Sequence, residues 1–180
     1  KEHVYIADYE PDKSFLSNLP FDDYIVVRPE NIQANYVQGE LSKSITPKLL
    51  MLLSEKGSNI LYLPRYATDR EYAKGIKNLF IPDKPLNGLD ACYYSLGVFT
   101  GAGTFAREAA CLGVPSFSFF LGASLLAVDK ELIKQNKMYF SRDPYSLVEN
   151  YLKSDRITAD LQKAKEVKLE VIEKTIDFLK

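Results

Sequence analysis

Histidine is almost absent from this sequence. The single one, His3, stands at the chain start, which removes the commonest general base from the rest of the chain, so histidine-based catalysis would need another polypeptide or domain. Cysteine is nearly as scarce. Cys92 and Cys111 lie in apolar helical contexts with no CxxC spacing and no neighbouring histidine, so they read as core thiols rather than metal ligands or redox centres. No metal and no cofactor is therefore expected. No apolar run approaches the ~20 residues that a membrane-spanning helix needs, and the opening KEHVYIADYE lacks the apolar centre of a signal peptide. The chain accordingly reads as cytoplasmic. A net charge of -1 gives no bulk attraction to nucleic acid or to an anionic membrane, and neither is an expected partner. An initiator methionine is also lacking, which is compatible with a fragment or with processing.

What is present is a chain of 180 residues, 46% hydrophobic and 26% charged, sized for one globular domain with a real core. Apolar β-branched runs alternate with helical patterns. Strands are expected at His3–Ala7, Tyr24–Arg28, Asn59–Leu63, Asn78–Ile81, Val98–Thr100, in PSFSFF from Pro115, and at Met138–Phe140. Helices are expected at Ser42–Lys56, Thr68–Lys74 with Thr68 or Asp69 as cap, Leu86–Ser95, Thr104–Leu112, Ser124–Gln135, Pro144–Lys153 and Ile157–Leu179. Such alternation implies an α/β fold, a parallel sheet with helices on both faces. The chain divides into a lead-in over 1–23, the sheet domain over 24–156 and a final helix over 157–180.

The segment VFTGAGTFAREAACLGVPSFSFF, from Val98 to Phe120, reads as strand, glycine turn, helix and strand. Gly101 ends the strand, Gly103 removes a side chain where a ligand would approach the backbone, and Thr104 is the expected helix cap. A helix starting there presents unpaired amides and the positive end of its dipole to an anion. Glu108, one turn on from Thr104, is placed to accept bonds from sugar hydroxyls. A plain tight turn with a solvated Glu108 is the competing reading. In a parallel sheet, ligands bind beyond the carboxyl ends of the strands, where this sequence puts Arg28, Arg65, Ile81-Pro82-Asp83 and Gly101-Ala102-Gly103. Arg28 and Arg65 suit a diphosphate, since a guanidinium offers a fork to phosphate oxygens. Ion pairs with Glu30, Asp69 or Glu71 are the alternative for them. Asp129 and Lys130 read as a solvated helical ion pair, and Tyr93 and Tyr94 as packing residues.

With RPEN at Arg28, LPRY at Leu63, GLDACYYS at Gly88, GAGTFAREAACLGVPSFSFF at Gly101 and LLAVDKELI at Leu125, the chain resembles an uncharacterised prokaryotic and archaeal family known as domain of unknown function 354. It also resembles the carboxyl-terminal Rossmann-like half of GT-B-type proteins, which include nucleotide-sugar glycosyltransferases and UDP-N-acetylglucosamine 2-epimerase. That resemblance implies a three-layer Rossmann-like fold, one half of a GT-B fold, binding a nucleotide sugar, above all a UDP-sugar. It assigns the diphosphate to Gly101, Ala102, Gly103 and Thr104, the ribose to Glu108 and the base to the loop at Ile81 and Pro82. Arg28, Glu30 and Asn31 match the last positions of the epimerases' His-Arg-x-Glu-Asn signature, but Val27 stands where the histidine belongs, which argues against epimerase chemistry. The resemblance further implies a missing N-terminal domain before Lys1, carrying the acceptor pocket, with the final helix packing on this domain or toward that half. An apolar patch left open there would favour a dimer.

Overall fold

The computed structural model describes residues 5–33, 44–122 and 124–180. Its centre is β1 (Ile25–Arg28), whose run of apolar residues makes sense because both of its faces are covered. Val26 joins one core layer and Ile25 and Val27 the other. With β2 (Ile60–Tyr62), β3 (Leu79–Phe80), β4 (Val98–Thr100), β5 (Ser116–Ser118) and β6 (Met138–Phe140) it forms a six-stranded sheet in the order β3-β2-β1-β4-β5-β6, with every pairing parallel.

The helices are α1 (Thr46–Glu55), α2 (Gly88–Tyr93), α3 (Gly103–Cys111), α4 (Ala127–Lys134), α5 (Pro144–Tyr151) and α6 (Leu161–Leu179), with 3-10 helices at Lys13–Asn18 and Ala67–Ala73. One layer gathers apolar residues of α2, α3, α4 and the start of α6, among them Ala91, Phe105, Leu132 and Ala164. The opposite layer gathers Leu49, Leu50 and Leu53 of α1 with Leu147 and Val148 of α5. The result is the expected three-layer α/β fold. Cys92 and Cys111 are free and buried, and burial pushes the Cys92 thiol well above its ordinary range.

Strand order reverses between β1 and β4, because the chain builds outward from β1 through β2 and β3 and then returns to β1's other side. That switch opens a crevice above the strand ends. Behind it lies Glu30, 1% exposed. Its carboxylate accepts Ser44 Oγ at 2.6 Å, Thr46 Oγ1 at 2.7 Å and the Ile45 amide at 2.9 Å, and it pairs with Arg142 Nη1 at 2.7 Å. Arg142 also donates to the Phe119 carbonyl at 2.9 Å. Helix α1 has no side-chain cap of its own, and Glu30 from the neighbouring loop supplies its anion.

Several expected elements shift, each for a visible reason. Residues 5–7 form a helical turn rather than a strand; His3, like the start of the expected Ser42 helix, lies outside the described residues. Thr104 does not cap α3: the helix starts at Gly103 after an extended Ala102, whose amide donates to Thr100 Oγ1 at 2.9 Å. Helix α4 starts at Ala127 rather than Ser124, because the Asp129 carboxylate accepts the Leu126 amide. Helix α6 starts at Leu161 rather than Ile157, because Ile157 donates to the Gly113 carbonyl at 2.8 Å and Asp160 caps through Lys163. The first half of α6 buries Ala164 and Val167 on this domain, whereas Leu169, Ile172, Ile176, Phe178 and Leu179 remain exposed. No helix among the described residues is long and apolar enough to cross a membrane.

The same geometry separates the glycines of the turn. A Cβ on Gly101 would lie 2.5 Å from the Glu30 Cα, whereas one on Gly103 would meet only the tip of Arg107. Gly101→Ala is expected to destabilise the fold by about 3 kcal/mol and Gly103→Ala by less, since it meets a guanidinium rather than backbone, measured by urea denaturation. Glu30→Ala, which strands Arg142 and the α1 donors, is expected to cost about 3 kcal/mol in the same assay.

Candidate functional site

Arg28 ends β1 in register with Thr100 of β4, and its carbonyl accepts the Gly101 amide at 3.1 Å. The glycine turn is thereby fixed beside the arginine. In α3 the first amide bonded back is that of Ala106, to the Ala102 carbonyl at 3.0 Å, and no side chain caps the end. The amides of Gly103, Thr104 and Phe105 are left without an intrahelical partner, and all three residues line the crevice. A cavity of about 340 Å³ forms here, lined by Arg28, Asn31, Arg65, Ala102, Gly103, Thr104, Phe105 and Glu108. A second, of about 370 Å³, shares Arg28 and runs past Leu63, Pro64 and Arg70 to the loop from Pro82 to Leu86.

The crevice is charged and incompletely paired. Arg28 lies over the Phe105 ring, 5.2 Å from its centroid, and its Nε is buried with no hydrogen-bond partner among the described residues. Burial, and then the like charge of Arg65, hold the Arg28 guanidinium below its ordinary value. Arg65 is anchored instead by its stem: Nε donates to the Pro29 carbonyl at 3.0 Å, while its backbone amide and that of Tyr66 donate to the Asp69 carboxylate. Tyr66 Oη donates to Asn31 Oδ1 at 2.8 Å, closing the rim. Glu108 is half-buried, and burial raises its carboxyl above the ordinary range, an effect Arg28 opposes. Among the described residues, neither Arg28 nor Arg65 forms an ion pair with a carboxylate.

The structure thus brings Arg28, Asn31, Arg65, Ala102, Gly103, Thr104 and Glu108 around one cavity, with Pro82 in the adjoining one. The alternative ion pairs are not made: Glu30 pairs with Arg142 instead of Arg28, and Asp69 holds backbone amides rather than the Arg65 guanidinium. Glu30 and Gly101 are buried behind the crevice, and Ile81 packs toward the α1 and α5 layer. Val27 is fully buried in that layer too. Asp129 is not solvated but 3% exposed and paired with Arg107. Sequence reasoning missed Phe105, the face on which Arg28 rests, and Arg142, whose place just after β6 was the only signal available.

Burial of Glu108 also bears on stability. A carboxyl whose folded pKa is raised destabilises the fold when ionised; that penalty is complete above the folded pKa and vanishes below the unfolded one. Glu108→Gln is therefore expected to raise the Tm at neutral pH, with the gain disappearing as the pH falls through the carboxylate range, in a thermal-melt series across pH.

The fold places the chain among proteins of known structure. It is similar to the UDP-GlcNAc 2-epimerase of Methanocaldococcus jannaschii, with a TM-score of 0.60 and 14% identity over 88% of this chain and 48% of that one. The same enzyme in complex with UDP-GlcNAc and UDP aligns with a TM-score of 0.60 and 14% identity over 96% and 53% of the respective chains. An E. coli heptosyltransferase with ADP-2-deoxy-2-fluoro heptose aligns with a TM-score of 0.51 and 16% identity over 89% and 46%. The fold is thus the Rossmann-like α/β sheet of GT-B-type proteins, and the likeness spans about half of each solved chain. In sequence, the chain is 30% identical over 151 residues to an uncharacterized protein of Methanocaldococcus jannaschii, covering 82% of this chain and 42% of that relative. The chain therefore spans about two fifths of the length of its curated relative. Its residues 4–179 match the family described as Protein of unknown function (DUF354), and the chain belongs to that family.

Proposed function

We propose that the crevice between β1 and β4 binds a nucleoside diphosphate, presented as a nucleotide-activated sugar, and that the domain is the donor-binding half of a glycosyltransferase- or epimerase-like protein. The observation that carries this reading is the Arg28 Nε, buried without a partner beside Arg65 and the uncapped end of α3. A partly desolvated cation with an unused donor calls for an anion. In this reading Arg28, Arg65 and the amides of Gly103 to Phe105 hold the diphosphate, Glu108 accepts from the ribose hydroxyls, and the base enters the cavity bounded by Leu63, Pro64 and Pro82. The fold shared with proteins solved with UDP-GlcNAc or an ADP-heptose analogue supports the same ligand class.

Where sugar transfer follows, Arg28 and the helix amides stabilise charge building on the leaving diphosphate, which is electrostatic rather than covalent catalysis. Acid and base groups and the acceptor pocket belong to a further domain of the whole protein. A second reading, nucleotide binding without turnover, is favoured by Val27, which puts an aliphatic core residue where the epimerase signature has histidine.

Calorimetric titration tests the reading. UDP or a UDP-sugar is expected to bind saturably, and Arg28→Ala to weaken binding at least about tenfold, the value of one charge-assisted bond, with unbound stability equal to or above that of the unsubstituted chain. Absence of saturable binding by any uridine, adenosine or guanosine diphosphate would refute it, as would unchanged affinity in Arg28→Ala.

A further inference from the structure

Arg107 and Asp129 form a buried charge pair outside the crevice, 7% and 3% exposed. Arg107 Nε donates to Asp129 Oδ1 at 2.6 Å and Nη2 to Oδ2 at 3.1 Å, a two-point grip that fixes the guanidinium plane. Its Nη1 reaches Tyr5 Oη at 3.3 Å, and Asp129 in turn accepts the Leu126 amide at 3.2 Å. A buried ion pair is weak support for a fold, since apolar residues of similar volume often serve as well. Its position is more informative. Arg107 lies one turn after Gly103, and its side chain runs back toward the helix start, as helical side chains do. A Cβ on Gly103 would sit 2.9 Å from Arg107 Nη2, so the guanidinium occupies the space a side chain there would need.

We propose that Arg107, clamped by Asp129, is a positioning residue for the crevice: it braces the Gly103 backbone from beneath and sets the direction of the Gly103, Thr104 and Phe105 amides. Helix α3 has no capping side chain to do so. Gly103 is then small to admit Arg107, and the clamp ties the anion-binding turn to the start of α4. The consequence for binding rests on the anion reading given above; the orientation of the amides does not.

Amide residual dipolar couplings and pyrophosphate titration of the 180-residue chain test the two separately. In Arg107→Lys and Asp129→Asn the couplings of residues 103–105 are expected to change while those of 109–111 hold, and pyrophosphate affinity to fall about tenfold, the loss from misaimed charge-assisted bonds. Gly103→Ala is expected to do the same, and Gly103→Ala combined with Arg107→Met to bind no more weakly than Arg107→Met alone, because the added Cβ meets only the guanidinium. Should Arg107→Lys fail to fold, Gly103→Ala gives the same readout. Unchanged couplings at 103–105, or wild-type pyrophosphate affinity in these variants, would overturn the proposal. An unsubstituted chain that binds no pyrophosphate would refute the anion reading, and the couplings would still decide the positioning role.

Discussion

The Glu30 carboxylate stands where four parts of the fold meet. It accepts from the start of α1 through Ser44, Ile45 and Thr46, and pairs with Arg142 from beyond β6. Arg142 carries the link to the end of β5 through the Phe119 carbonyl, and the Glu30 backbone lies so close to Gly101 that no side chain fits between them. A carboxylate with its donors satisfied can be buried without large penalty, but each donor then depends on it. The ends of β1, β4, β5 and β6 are therefore held at one level by this group, and the crevice is the gap that level surface leaves at the reversal of strand order.

Against that satisfied network, the crevice is left electrostatically incomplete. Arg28 is desolvated, repelled by Arg65 and short of a partner for Nε, while Glu108 is raised by burial rather than neutralised. Such groups reduce stability, and groups of this kind cluster at functional sites. The contrast between Arg28 at the end of β1 and Glu30 two residues on, in the loop that follows, separates the scaffold from the candidate site more clearly than burial alone.

The layered sheet was legible in the sequence because strands buried on both faces, such as IVVR and ILY, read as unbroken apolar runs. Helix limits were less so: α4 and α6 begin where Asp129 and Asp160 accept backbone amides, and those caps depend on loop paths that periodicity does not record. Arg28, Arg65 and the glycine turn were legible because strand ends are where a parallel sheet puts its ligands. Glu30 was legible as an alternative ion-pair partner of the arginines and as a match to a signature, but neither reading pointed to Arg142. Asp129 looked solvated because it sits among charged neighbours on a short helix, and nothing local announces Arg107 on another helix. Long-range ion pairs leave no spacing to read.

A crystal structure of the chain with UDP would show whether the crevice between β1 and β4 holds the diphosphate. Phosphate oxygens are expected within hydrogen-bonding distance of the Arg28 guanidinium and of the amides at the start of α3, with the ribose against Glu108. Nucleotide bound elsewhere, with no contact to the Arg28 guanidinium, would contradict this.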